Sequence, residues 1–181
     1  MTVTVENGTI SVVSAYNGAW VARAKELGGK WNGNASAWQF PETIEDLVRD
    51  ALMDIYGEDG KPTEKVTIDI KLDTEDDIEQ SLVIAGVEFL TRRDRDSAVG
   101  VRNGAIIVKG SFKKSGGSLQ YPRIGCPTSE TVLRVQIPKT KLDSVGFDYT
   151  EVHAEPIDRT ALEAEKEALL KRLAEIEELL K

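Results

Sequence analysis

Residues 17–41 read NGAWVARAKELGGKWNGNASAWQFP, and this stretch decides the fold of the first third of the chain. Trp20, Val21, Ala24 and Leu27 recur at helical spacing, and Gly28-Gly29 supplies a C-terminal stop, so a helix is predicted. Lys30-Trp31 and Ala37-Trp38-Gln39-Phe40 then bracket the turn-rich NGNAS, which predicts a β-hairpin with aromatic residues on both strands. Pro41 ends the second strand. Upstream, Ile10, Val12 and Val13 form a short β-prone run. Downstream, ETIEDLVRDALMDIYG (residues 42–57) places Ile44, Leu47, Val48, Leu52 and Ile55 on one apolar helical face. The expected order is β, α, ββ, α. Two helices cover one face of a three-stranded sheet, and Trp20, Trp31, Trp38 and Phe40 fill the space between.

The succession of helix, Gly28-Gly29-Lys30-Trp31-Asn32, a short spacer, Ala37-Trp38-Gln39-Phe40-Pro41 and a second helix resembles the HARP domain of annealing helicases. It is similar also to HARP-like domains of phage and plasmid proteins. The resemblance covers roughly residues 9–57. It implies a module associated with binding branched or single-stranded DNA. Within it, Arg23, Lys25 and Lys30 lie on one side, whereas the second helix is strongly acidic.

Beyond this module (residues 1–60), the polar stretch EDGKPT reads as a linker. Residues 64–156 then read as a β-rich domain. Val66, Ile68, Ile70 and Leu72 alternate with polar residues, as do Leu133, Val135 and Ile137. A β-prone run extends from Leu82 to Leu90. Asn103-Gly104 separates residues 99–102 from residues 105–108, as expected of a hairpin. Residues 119–124 suggest a short edge strand, since Pro122 removes a donor, and residues 147–153 a last strand. Six or seven strands without long helices between them suggest an antiparallel barrel or sandwich. Residues 157–181 predict a coiled-coil helix that joins copies of the chain into a homo-oligomer. Leu162, Leu169 and Ile176 repeat every seven residues, with Lys166, Leu173 and Leu180 between them. Thr160 and Glu163 form a capping-box pattern. The expected fold class is therefore α+β: a small ββ/α module, an antiparallel β barrel or sandwich, and a C-terminal coiled coil.

The net charge of −8 conceals a pattern. Residues 1–80 carry 7 Lys and Arg against 16 Asp and Glu, residues 81–146 carry 11 against 5, and residues 147–181 carry 5 against 10. A basic island thus lies between acidic flanks, and charge concentrated on one domain favours ligands of opposite sign. One cysteine, Cys126, leaves no disulfide framework and no Cys-based zinc site. One histidine, His153, argues against a multi-histidine metal centre. No apolar run approaches the roughly 20 residues of a membrane span. The opening MTVTVENGTISVV lacks the pattern of a signal peptide, so a cytoplasmic protein, in a bacterial host cell, is expected. No elbow or nucleotide fingerprint accompanies Ser97, Cys126 or His153, so no enzyme, metal or cofactor is expected.

Two clusters in the basic island carry candidate chemistry. Arg92, Arg93, Arg95 and Ser97 lie in TRRDRDS; Lys113, Lys114, Ser115 and Ser118 lie in KKSGGS, with Tyr121 and Arg123 just beyond and Arg102 between the clusters. Guanidinium forks match phosphate oxygens, Gly- and Ser-rich loops close around anions, and Tyr121 offers a ring for a base. The expected partner is a phosphate-bearing ligand, either nucleic acid or a nucleotide. Three functions follow as expectations: a phage or mobile-element protein that binds single-stranded or branched DNA through the basic β-domain, an oligomeric anti-defence protein that sequesters a nucleotide immune signal, or an inhibitor whose acidic N-terminal surface imitates DNA.

Overall fold

The computed structural model describes residues 1–152 and, beyond them, Lys166, Leu169 and Arg172. The first module contains β1 (Thr2–Glu6), β2 (Thr9–Val13), α1 (Gly18–Glu26), β3 (Lys30–Asn32), β4 (Ala37–Pro41) and α2 (Glu45–Tyr56). Its sheet is antiparallel, in the order β1-β2-β4-β3. It has one strand more than expected. The two-residue turn Asn7-Gly8, with φ of 51° and 75°, folds β1 back on β2, as an Asn-Gly hairpin does.

The register puts Val3 beside Val12, Val5 beside Ile10, Ile10 beside Phe40 and Val12 beside Trp38. This face meets Trp20 and Ala24 of α1 and Val48, Ala51, Leu52 and Tyr56 of α2 in one core. Each fully buried aliphatic side chain here contributes roughly 1.5–3 kcal/mol. α1 starts at Asn17, whose side-chain oxygen accepts the Trp20 N–H at 3.1 Å. α2 carries Glu45 and Asp46 in its first turn, where the helix dipole favours them, and stops at Gly57 with φ of 73°. Leu47, expected on the apolar face, is exposed instead.

The second module contains β5 (Lys65–Leu72), β6 (Ser81–Ile84), β7 (Val87–Thr91), β8 (Gly100–Val101), β9 (Ile106–Lys109), β10 (Thr131–Pro138) and β11 (Tyr149–Glu151). They form two antiparallel sheets, β11-β5-β10-β9 and β6-β7-β8. Ile68, Ile70, Leu133, Val135 and Ile137 from the first share one core with Leu82, Ile84, Phe89 and Leu90 from the second. On the opposite side of the β5–β10 ladder, Arg134 grips Asp69 with two hydrogen bonds of 2.7 and 2.8 Å.

Asn103-Gly104 does form a turn, with φ of 52° and 75°, but not the expected hairpin. β8 pairs with β7 and β9 with β10, so the turn passes the chain from one sheet to the other. The run 82–90 is split by Ala85-Gly86 into the hairpin β6–β7. Residues 119–124 form no strand; Pro122 makes only an isolated bridge with Gly117.

The two modules touch. Val87 packs against both cores. The Asn17 side-chain amide donates to Gly86 O at 2.8 Å, and Thr140 Oγ1 donates to Gly57 O at 2.8 Å. Gly86, with φ of 74°, sits where a side chain would strike the Ile55 carbonyl oxygen.

The expected fold class needs correction. Among the described residues the protein is predominantly antiparallel sheet, in three separate sheets; its helices are short, α1 with 9 residues and α2 with 12, and no long C-terminal coiled-coil helix is seen among them. Polar strands account for part of the difference: in β1 only Val3 and Val5 face the core, which makes the segment look like a loop. The predicted coiled coil at residues 157–181 falls outside the described residues except at Lys166, Leu169 and Arg172, each helical and exposed. Leu169, placed in the seam by its spacing, is 63% exposed. No helix among the described residues is long and apolar enough to cross a membrane.

Candidate functional site

The loop after β7 is built around Arg92. This arginine, expected to face a ligand, is 0% exposed. Its Nη2 donates to the carbonyl oxygens of Lys113 at 2.7 Å and Ile124 at 3.5 Å; its Nη1 donates to those of Lys114 at 3.1 Å, Arg95 at 3.5 Å and Ser97. Burying a guanidinium is costly unless its donors are used, and here both Nη groups are used whereas the buried Nε has no partner among the described residues. Here the acceptors are backbone oxygens of the two loops that were expected to hold phosphate. Those loops do come together, but as acceptors for Arg92.

The remaining cations of the cluster meet carboxylates. Arg93 Nε lies 3.1 Å from Asp94, and Arg95 grips Asp96 through Nε and Nη2 at 2.9 and 2.7 Å. The Arg95 hydrogen bond holds the Asp96 carboxyl below its ordinary value, and Asp96 raises Arg95 in return. Arg123 Nη2 reaches Asp77 at 2.9 Å and Glu79 at 3.1 Å, both from the acidic segment after β5. Ser97 Oγ donates to Asp94 at 3.2 Å, and Ser118 Oγ accepts the Tyr121 N–H at 3.0 Å. Lys113, Lys114, Ser115 and Tyr121 stay exposed, and neither lysine has an ion-pair partner among the described residues. The expected phosphate surface therefore keeps two free lysines and loses its arginine forks.

A different surface has the opposite character. Trp31 of β3 stands across from Trp38 of β4, ring centroids 5.7 Å apart and nearly edge to face. Trp38 is buried, but Trp31 is 55% exposed. This corrects its expected place in the core. Together with Tyr16, Trp20, Val21 and Lys25, the two tryptophans line an apolar cleft of about 380 Å³. Tyr16, 79% exposed, forms part of its wall.

Both neighbours of Tyr16 are fastened. Tyr56 Oη donates to Ala15 O at 2.7 Å, and Asn17 bonds Trp20 N on one side and Gly86 O on the other. Burial pushes the Tyr56 hydroxyl above its ordinary value, which keeps it a donor across the physiological range. An aromatic ring in water, on a loop pinned at both ends, is preorganised for contact.

No family model, curated protein or solved structure matches this chain.

Of the residues expected from sequence, Arg102 is the one that lies beside this surface. It shares a second hollow of about 420 Å³ with Tyr16, Glu88, Val101 and Asn103. Its Nε lies 3.4 Å from Glu88, and its side chain is 58% exposed. Tyr16 was missed because nothing in its neighbours marks exposure. The signal available was its position between a β-prone run and Asn17, a residue type that caps helices.

Proposed function

We propose that this chain is a non-enzymatic binding protein for single-stranded nucleic acid, whose unpaired bases enter the aromatic cleft between Tyr16 and Trp31. The observation that supports this most is the pair of exposed rings beside an open apolar cleft, with Lys25 on its lining and without an ion-pair partner among the described residues. Base–aromatic stacking contributes about 1–3 kcal/mol per base and tolerates any sequence. A duplex, whose bases are already stacked, gains nothing from such rings. The DNA-binding association implied by the HARP-like resemblance of residues 9–57 points in the same direction.

The overall charge of −8 sets a limit on this reading. With Lys25 and Arg102 as the cations beside the rings, few counterions are released. The affinity for a single strand is then expected to fall with salt at a slope of about −1 to −2 on a log–log plot, as two contacts predict.

The test is a titration with single-stranded and duplex oligonucleotides of one sequence, followed by tryptophan fluorescence over a range of salt. Quenching by the single strand, little by the duplex, and a shallow salt slope support the proposal. Absence of any response to the single strand overturns it. A steep salt slope removes stacking as the main source of affinity and moves attention to Lys113 and Lys114.

A further inference from the structure

The aromatic cleft does not end at Tyr16. The same ring walls the second hollow, whose other sides come from the second module: Glu88 on β7, Val101 on β8, and Arg102 and Asn103 in the turn that joins β8 to β9. Asn103 Nδ2 donates to Glu88 O at 2.7 Å, which fixes that turn against β7. Two recesses thus flank one exposed, fastened ring, one lined by the first module and the other largely by the second.

Resting on the single-strand reading above, we infer that the ligand is a strand of at least two consecutive nucleotides that straddles Tyr16. One base stacks in the recess of Trp31 and Trp38. The next lies against the far face of Tyr16, in the recess of Val101. The phosphate that joins the two nucleosides is held by Arg102. Three observations carry this. Tyr16 borders both recesses and is held by bonds at Ala15 and Asn17. Arg102 approaches Glu88 no closer than 3.4 Å and its side chain is 58% exposed, so its guanidinium fork stays open to phosphate oxygens. Glu88 already accepts Ser81 Oγ at 2.5 Å, so its second carboxylate oxygen is occupied within the fold. A free mononucleotide fills one recess and leaves the other empty. The site therefore discriminates by length, and it includes residues of both modules.

The experiment measures binding of thymidine monophosphate and of oligothymidylates of increasing length to the full chain, by tryptophan quenching and by competition against a labelled single strand. The dinucleotide is expected to bind at least about tenfold more tightly than the mononucleotide, the size of one added base stack. Further lengthening is expected to add little. Arg102→Ala is expected to weaken the dinucleotide more than the mononucleotide and so bring the two together. Tyr16→Ala is expected to do the same and to weaken the mononucleotide as well, whereas Tyr16→Phe, which keeps the ring, retains the length dependence. Equal affinity for mono- and dinucleotide, or an Arg102→Ala variant with unaltered length dependence, overturns this inference while leaving the aromatic cleft as a binding site. Failure of every length to bind overturns both. Circular dichroism of each variant establishes that the change is not a loss of fold.

Discussion

The loop at residues 92–97 and the cleft beside Trp31 both hold residue types suited to a nucleic acid, and they differ in what those residues already touch. In the loop, Arg92 is buried under carbonyl oxygens and Arg93 and Arg95 each face an aspartate one residue further along the chain. In the cleft, the side chains of Trp31, Tyr16 and Lys25 are exposed and have no charged or hydrogen-bonding partner among the described residues. Only groups left unsatisfied by the fold have interaction energy to offer a ligand. A cluster of positive residues in a sequence is therefore weaker evidence for binding than a single ring that the core leaves outside.

The largest effect that tests this contrast is on stability. Arg92→Met is expected to destabilise the protein by about 3 kcal/mol or more, because the carbonyl oxygens of Lys113, Lys114 and Ile124 lose their donor together. Urea unfolding measures it, and a loss below about 1 kcal/mol would return Arg92 to the surface and dissolve the contrast. The next effect is on binding. Trp31→Ala is expected to weaken single-strand affinity by about 1–3 kcal/mol, the worth of one base stack. Its unfolding midpoint should move little, because more than half of the side chain is already in water.

Asn17→Ala is expected to cost about 1 kcal/mol of stability, as a lost helix cap does. It also removes the bond to Gly86 that anchors the residue after Tyr16, so single-strand affinity should fall without loss of any ring that lines the cleft. Retained affinity in a folded Asn17→Ala protein would show that the fastening of Tyr16 is immaterial.

A smaller effect depends on pH. The Arg134 guanidinium holds Asp69 below its ordinary value of 3.8. The ionised pair therefore stabilises the fold above that value, and the contribution is lost as the pH falls through the lower folded value. Asp69→Asn is expected to be less stable than the parent at neutral pH, with the difference shrinking in acid below 3.8. A gap that stays constant in acid removes the ion pair as its cause. The smallest effect sharpens the contrast most directly. Replacing Arg93 and Arg95 together by alanine is expected to leave both stability and single-strand binding unchanged, since both are exposed and already paired. Loss of binding in that protein, as measured by the same quenching titration, would restore the loop as the site.

Local periodicity was legible. The strand alternation of Ile68 and Ile70, the helical spacing of Val48 and Leu52 and the aromatic hairpin of Trp31 and Trp38 all follow from residue order, because each element buries one face. Asn103-Gly104 was legible as a turn, but not as a passage between two sheets: turn chemistry sets φ locally and leaves the choice of strand partner to distant residues. β1 was not legible, because an edge strand needs few apolar residues.

The candidate site divides in the same way. Residue order alone shows that the chain has arginines near position 92 and tryptophans near position 31, and which of them share a local element. The tertiary structure decided which of these groups remain available. Beyond the nearby Arg95 and Ser97, the acceptors of Arg92 come from residues 21, 22 and 32 positions away, and the carboxylates of Arg123 from more than 40 positions upstream. Tyr16 and Arg102 meet only because the two modules pack through Asn17 and Gly86. Satisfaction of a polar group is a property of the atoms around it in space, and chain order does not specify those atoms beyond a few residues.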